Sequence, residues 1–348
     1  MANNTNLALA VSNDVQNELN ASGTNLNPVG AERDVRLLSN DNVRAGGDHI
    51  LANQQVTFND VTSTAATTIW NDDYLDGEAE ALEADGIRNS SIAVTGNLTI
   101  AEATANRATN TADVSAGAAL TASAGVANYQ ATSGEMEVSA TASTNASVAL
   151  GSAADPLFNP AVDGSSVTLG QNTTSSLARG NAATNVLNYS AGSNYGGTTI
   201  GSDPYTTLSH TGDSTVRARA GVLNAQVNNA AVSAESVNTS YVVALNSSEA
   251  PVVTNATIGV IGNAVSAAAY GNTATNRLTV ASLNSNAPSA AIGNVQYNSG
   301  PVSASVTTVT YGVTSGVGSI AGSSLGVTGN AITATAVGNS AVSSITGQ

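Results

Sequence analysis

The 348-residue sequence contains no cysteine, which excludes disulfides, thiolate catalysis and cysteine-based metal sites. Lysine is absent too: all nine basic residues are arginine, against 24 acidic ones, for a net charge of -15. So little positive charge offers no surface for phosphates, and nucleic acid is not expected as a partner. Charged residues make up 9% of the chain, against roughly 25% in ordinary soluble proteins, so the charged shell of a usual globule is missing. Aromatics are 3%, which sets aside a sugar-cleaving groove lined with acids and aromatic platforms. No run reaches the roughly 18 apolar residues of a membrane helix, and no membrane span is expected. LALAV at residues 7–11 is too short, and lacks the basic flank, for a secretory signal.

Alanine, serine, threonine, asparagine, glycine and valine dominate instead, with too much apolar content for a disordered tail. Charge is uneven: 14 of the 24 acidic residues lie within residues 1–85, none follows Glu249, and Arg277 is the only charged side chain after it. Residues 1–90 therefore read as an acidic, irregular N-terminal region that caps the fold or docks on another subunit, and 91–348 as a repeat array. Leu7, Val11, Val15 and Leu19 recur every four residues, which suits an amphipathic helix or, equally, an extended docking strand.

The array announces itself in GNAVSAAAYGNTATNRLTV, residues 262–280, and GNAITATAVGNSAVSSITG, residues 329–347. Gly221, Asn229, Asn238, Asn246, Asn255, Asn263 and Asn272 follow one another at alternating steps of eight and nine. Asn330 and Asn339 repeat the nine-residue step. Fixed-period self-similarity marks a solenoid. Val265, Ala267 and Ala269 alternate with smaller polar residues, as do Ala274, Asn276, Leu278 and Val280, and the parity flips at Gly271-Asn272. Glycine tolerates positive φ and asparagine the left-handed region, so such pairs suit strand corners. The expectation is an all-β parallel β-solenoid of about 17 residues per coil with these residues at its corners, about 15 coils in a rod on the order of 70 Å. Asparagines such as Asn110, Asn185 and Asn276 would form amide ladders between coils.

NDDYLDGEAEALEADG, residues 71–86, is the one dense acidic cluster. Asp72, Asp76, Glu80 and Glu83 occupy positions 1, 5, 9 and 12 of a calcium-loop template, but Tyr74 stands at position 3 and flanking helices are not evident. Calcium is the one cofactor these residues suggest, against the plainer reading of a solvated acidic loop. Ser209, His210 and Asp213 are sequence neighbours, which is not how a triad with its pocket and oxyanion hole is assembled, and no enzyme is expected.

The Gly-Asn-x-Ala-x-Ala-x-Gly-Asn style of residues 262–280 and 329–347 resembles alphaproteobacterial holdfast anchor proteins of the HfaD type, and less closely the heads of trimeric autotransporter adhesins. The first resemblance implies a secreted cell-surface protein that assembles into fibre-like material and helps fix an adhesive polysaccharide to the cell. Its expected partners are further copies of itself, head to tail, with polysaccharide or outer-membrane anchoring proteins. The alternative is a solitary binding rod, like an autotransporter head or phage fibre, that recognises a glycan or receptor. The uncharged final segment, residues 331–348, reads as an uncapped edge on which another subunit can build.

Overall fold

The computed structural model of the chain describes residues 1–28, 34–37, 43–71, 87–150, 162–193, 206–210, 214–245, 253–283, 288–315 and 319–347. Every regular element among them is a β-strand. Five parallel sheets stack strand upon strand, the arrangement expected of a β-solenoid. A long sheet holds Thr5–Leu26, Leu98–Leu120, Thr173–Ala191, Ala264–Ser282 and Ala331–Gly347 in that order. A return sheet holds His49–Thr57, Ala124–Thr132, Ala220–Asn228 and Ala290–Asn298. A far sheet holds Val61–Asn71, Glu137–Leu150, Ala231–Leu245 and Val302–Ser315. Two-residue rungs such as Val253–Thr254 follow, and then a closing sheet of Ser91–Thr95, Ser166–Gly170, Thr257–Ile261 and Ser324–Thr328. The chain visits long, return, far and closing sheets in turn and then steps up one rung.

Two walls face each other across the interior. The first half of each long strand packs small residues, Ala101, Ala103, Ala178 and Ala267, against Val138, Ala140, Val232 and Ala234 of the far sheet. Its second half sets Val114, Leu187 and Leu278 against Leu51, Val126 and Val222 of the return sheet. Beyond the long strand, Tyr241 and Val243 of the far sheet meet Leu169, Ile258 and Val260 of the closing sheet. An antiparallel side sheet, Asp34–Leu37, Val43–Gly46, Thr206–His210 and Ser214–Ala218, covers the outer face of the return sheet. There Leu208 and Val216 pack on Ala127, Leu223 and Ala225, so return strands such as Ala124–Thr132 are buried on both faces.

The stacking period differs from the expected 17 residues. Asn263 lies between Asn172 and Asn330, 91 and 67 residues away, and stacked partners in the return sheet are up to 96 residues apart. The steps of eight and nine measure the sides of one circuit rather than the circuit itself, because the backbone has to turn at the end of every side. Asn229 sits in the turn between return and far strands. Asn238 adopts φ 48° inside Ala231–Leu245, and Asn255 adopts φ 49° between a two-residue rung and the closing strand. Asn246 lies outside the described residues, as do Asp72, Asp76, Glu80 and Glu83. Instead of about 15 coils, the described strands make four circuits and one further long strand, a stack only about 20 Å tall at 4.8 Å per rung.

The N-terminal region is likewise regular where it is described. Thr5–Leu26 is a strand, not a helix, in register with Leu98–Leu120, and His49–Thr57 and Val61–Asn71 start the return and far sheets. The four-residue spacing of Leu7, Val11, Val15 and Leu19 misleads because the inward parity changes near Ser12, as it does in Leu98–Leu120, Thr173–Ala191 and Ala264–Ser282 of the same sheet.

That change of parity is visible at Gly271-Asn272, where Gly271 and Asn272 are both buried and alternation restarts. Gly271 is not at positive φ, contrary to the expectation for a corner glycine; the left-handed corner is Gly262, at φ 67°, in a column with Gly96 and Gly329. Gly271 is glycine for want of room: a Cβ there would meet Gly338 O at 2.5 Å and press on Asn298 Oδ1. Gly221 is also not at positive φ; it is the second residue of Ala220–Asn228, and a Cβ would meet Thr206 Oγ1 of the side sheet at 2.8 Å. Gly271→Val should therefore destabilise by about 2 kcal/mol or more, while Ser266→Val, outward and half-buried, should stay within about 0.5 kcal/mol. Urea melts that rank the two the other way would refute the close-approach account.

Candidate functional site

The most ordered polar feature of the interior is a set of amide ladders running up the stack. Each long strand carries Asn at its entry, Asn nine residues on and, in all but the last, Asn four residues further. In the entry ladder Asn4 Nδ2 donates to Asn97 Oδ1 at 2.8 Å, Asn97 to Asn172 at 2.8 Å, Asn172 to Asn263 at 2.9 Å and Asn263 to Asn330 at 3.0 Å. The second ladder climbs from Asn13 through Asn106, Asn181 and Asn272 to Asn339 at 2.7 to 2.8 Å. The third runs from Asn17 through Asn110, Asn185 and Asn276, and ends on Ser343 Oγ at 3.2 Å.

The return sheet supplies two more. Asn53, Asn128, Asn224 and Asn294 bond upward at 2.7 to 2.9 Å. They meet the third ladder across the interior, Asn110 Nδ2 reaching Asn128 Oδ1 at 3.2 Å and Asn185 Nδ2 reaching Asn224 Oδ1 at 3.2 Å. Gln55, Gln130, Gln226 and Gln296 form the other, with opposite polarity: Gln130 donates down to Gln55 at 2.6 Å, Gln226 to Gln130 at 2.8 Å and Gln296 to Gln226 at 2.7 Å. Sequence reasoning missed these two ladders. Their signal is the pattern Asn-x-Gln-x-Thr/Asn in NQQVT, NYQAT, NAQVN and NVQYN, starting at residues 53, 128, 224 and 294.

Ladder polarity is set by backbone groups that can act in only one sense. The backbone N–H of Asn97, Asn172 and Asn263 each donates to the Oδ1 one rung above, at 2.9 to 3.1 Å. The Nδ2 groups of Asn172, Asn263 and Asn330 each give one hydrogen to a carbonyl of the closing sheet, Val94, Leu169 and Val260. The other hydrogen continues the ladder upward. The upper end consequently presents N–H donors at Asn330, Asn339 and Asn294 and an acceptor at Gln296. Asn4 and Asn13 at the lower end present carbonyl oxygens, and Gln55 presents an N–H.

Both ends also expose apolar side chains. On the last long strand the inward Ile332 and Ile345 are about half exposed, while Leu7 and Leu9 of the first strand and Val342 of the last, at 65%, lie on the outer face of the sheet. Tyr311 stacks on Tyr241 with ring centroids 5.7 Å apart and, among the described residues, has no far-sheet strand above it; burial and then the neighbouring Tyr241 push its phenol up to about 12. Ion pairs sit on the outer face of the long sheet, Arg179 to Glu102 at 2.6 Å and Arg107 to Asp14. The Arg107 hydrogen bond holds the Asp14 carboxyl below its ordinary value. That stabilisation is present above the unfolded carboxyl value and fades as pH falls through the lowered one, and it is small because the pair is solvated.

Among the described residues no three histidine or acidic side chains gather as a metal site. No helix there is long and apolar enough to cross a membrane. Ser209 and His210 lie on the side sheet, and Asp213 lies outside the described residues. No family model, no curated protein and no solved structure matches the chain.

The ladders predict a specific sensitivity. Asn181 is fully buried and bonds to Asn106, Asn272 and the carbonyl of Val227, so Asn181→Ala strands several buried polar groups and should cost about 2 to 4 kcal/mol. Asn181→Asp keeps the shape but replaces the donor by a buried carboxylate, and should recover stability on acidification as the carboxyl protonates. Chemical denaturation at two pH values checks both; an Asp variant insensitive to pH would contradict the ladder's role.

Proposed function

We propose that the protein is an extracellular structural protein whose chains associate end to end into a cell-surface fibre for adhesion, or for anchoring an adhesive polysaccharide, as in the holdfast anchor family it resembles. The observation that carries this reading is the pair of open ends. Each terminal rung exposes a parallel edge and apolar side chains, and the ladder donors at one end answer the acceptors at the other. Proteins that stay monomeric block such edges with charge, proline or a covering element. Ala331–Gly347 carries neither charge nor proline.

The interior supports a non-enzymatic role, since it is filled by small apolar side chains and by amides bonded to one another. A contact that joins unlike ends along one stacking axis, with no rotation that closes a ring, grows as a filament. The solitary binding rod is favoured by one feature, the antiparallel side sheet, which interrupts the regular wall and presents a distinct outer surface.

Negative-stain microscopy and sedimentation of the full chain test the fibre. Filaments or a concentration-dependent series of oligomers are expected. Val327, inward on the uppermost closing strand and 45% exposed, can carry a charge in one copy but not beneath another. Val327→Lys should therefore leave strand content intact and weaken association at least about tenfold, an unpaired interfacial charge costing more than 1.4 kcal/mol. Single particles at every concentration would leave the solitary rod as the better reading.

A further inference from the structure

Among the described residues the long sheet has five strands and the other parallel sheets have four. Ala331–Gly347 is thus an overhang, set one rung above the last return and far strands. Its inward Ala334, Ala336 and Ile345 remain exposed. The inward Ala8, Ala10 and Leu19 of the first strand are half-buried, because His49–Thr57 and Val61–Asn71 stand opposite at their own level. The unequal count constrains any end-to-end contact. If the four shorter sheets of two copies meet rung to rung, two segments compete for one place: the last long strand of the lower copy with the Thr328 and Gly329 that lead to it, and the first long strand of the upper copy with its leading Ala2 and Asn3, which lie beneath Thr95. If the first strand instead lies on the last, every other sheet lacks a rung.

We propose that copies join by strand exchange: Thr5–Leu26 of an incoming copy displaces Ala331–Gly347 and pairs with Ala264–Ser282. This rests on the fibre reading and adds its partner, a second copy of this chain, and its register. Following the columns through the stack, Asn13 occupies the level position of Asn339, and Asn17 that of Ser343. The incoming Asn13 and Asn17 would accept from Asn272 and Asn276, continuing as an amide the ladder that now ends on a hydroxyl. In the return sheet Asn53 and Gln55 of the incoming copy come over Asn294 and Gln296, and donor meets acceptor in both ladders despite their opposite polarity. Ile69 comes over the open ring of Tyr311.

Charge makes an independent case. Glu18 and Arg277 share a column, through Thr111 and Val186. Arg277 is the only charged side chain after Glu249, and no acidic residue pairs with it among the described residues. Within one chain its upper neighbour is Ser344; exchange replaces that serine by Glu18. The same comparison says which strand leaves. The first strand is tied to its own circuit by Asn17 to Asn53, Asn13 to Thr57 and Ser63 Oγ to Ala8 O, and to the rung above by Arg107 to Asp14. Across the interior the last strand meets only the rung below it, for example through Asn339 to Gln296 O at 3.4 Å.

The absence of cysteine makes the test direct. Glu18 and Arg277 of one chain are three rungs apart, about 14 Å, beyond the roughly 7 Å reach of a disulfide. The full chain carrying Glu18→Cys and Arg277→Cys should therefore form a ladder of disulfide-linked oligomers on mild oxidation, whereas either single variant stops at dimers. Cross-linking of Glu18→Cys with Ser344→Cys instead, or filaments in which neither pair links, would overturn the exchange while the fibre stands. A chain that forms no filament would sink both. Glu18→Arg and Arg277→Glu should each weaken association about two- to fivefold, as for a solvated pair, and the double swap should restore it; a double variant as weak as the singles would refute the pairing.

Discussion

A buried side-chain amide imposes the constraint on which the rest of this fold depends. It has two donors and an acceptor with two lone pairs, and leaving any of them unmet between two sheets costs on the order of 1 to 3 kcal/mol. Here each amide is met by the equivalent amide of the next rung, by a carbonyl of the opposite wall, or by both. That solution works only when the strands stack in register, so the ladders select the register as well as stabilising it. A slip by one residue would turn the Asn column outward and the apolar column with it. Small residues on the facing walls are the necessary complement, since Ala101, Ala178 and Ala267 let the walls approach until amides such as Asn110 and Asn128 touch across the interior.

A ladder of this kind has a direction and two unmet ends. Chains of aligned amides strengthen one another, which makes their open termini the places where another copy has most to add. Edge protection in this protein is uneven in the same sense. The outer face of the return sheet is covered by an added antiparallel layer, while among the described residues no such layer covers the top and bottom long, return and far strands. The overhanging last strand covers the edge of the long sheet through the rung beneath it, and among the described residues no strand stands opposite it at its own level.

Much of the strand content and corner chemistry is legible in the sequence. The parity change at Gly271-Asn272, the corners at Asn229, Asn238, Asn255 and Asn263, and the ladder through Asn110, Asn185 and Asn276 all follow from local rules: alternation for strands, asparagine and glycine where the chain turns. The circuit length is not legible in the same way, because the steps of eight and nine within a circuit repeat more conspicuously than circuits do. Circuits vary from 67 to 96 residues as the connecting segments vary, and a fixed period passes over them. The Asn-x-Gln-x-Thr/Asn motif hides for the same reason, its four copies being unevenly spaced. The acidic start of the chain reads as irregular only if charge is taken as a sign of separateness; in the structure Asp14 and Glu18 merely point outward from a strand whose other face is Ala, Val, Asn and Leu.

What the sequence by itself determined is local: which residues extend, which face inward and where the backbone turns, because each depends on side-chain shape and φ preference within a few neighbours. Which side lies on which was decided by the tertiary structure, since nothing local distinguishes Asn255 from Asn172 as the partner of Asn263. Only the stacked walls, with every buried amide required to find its match and Gly271 required to lie against the backbone of Gly338, admit the one pairing and leave the long sheet a strand longer than its neighbours.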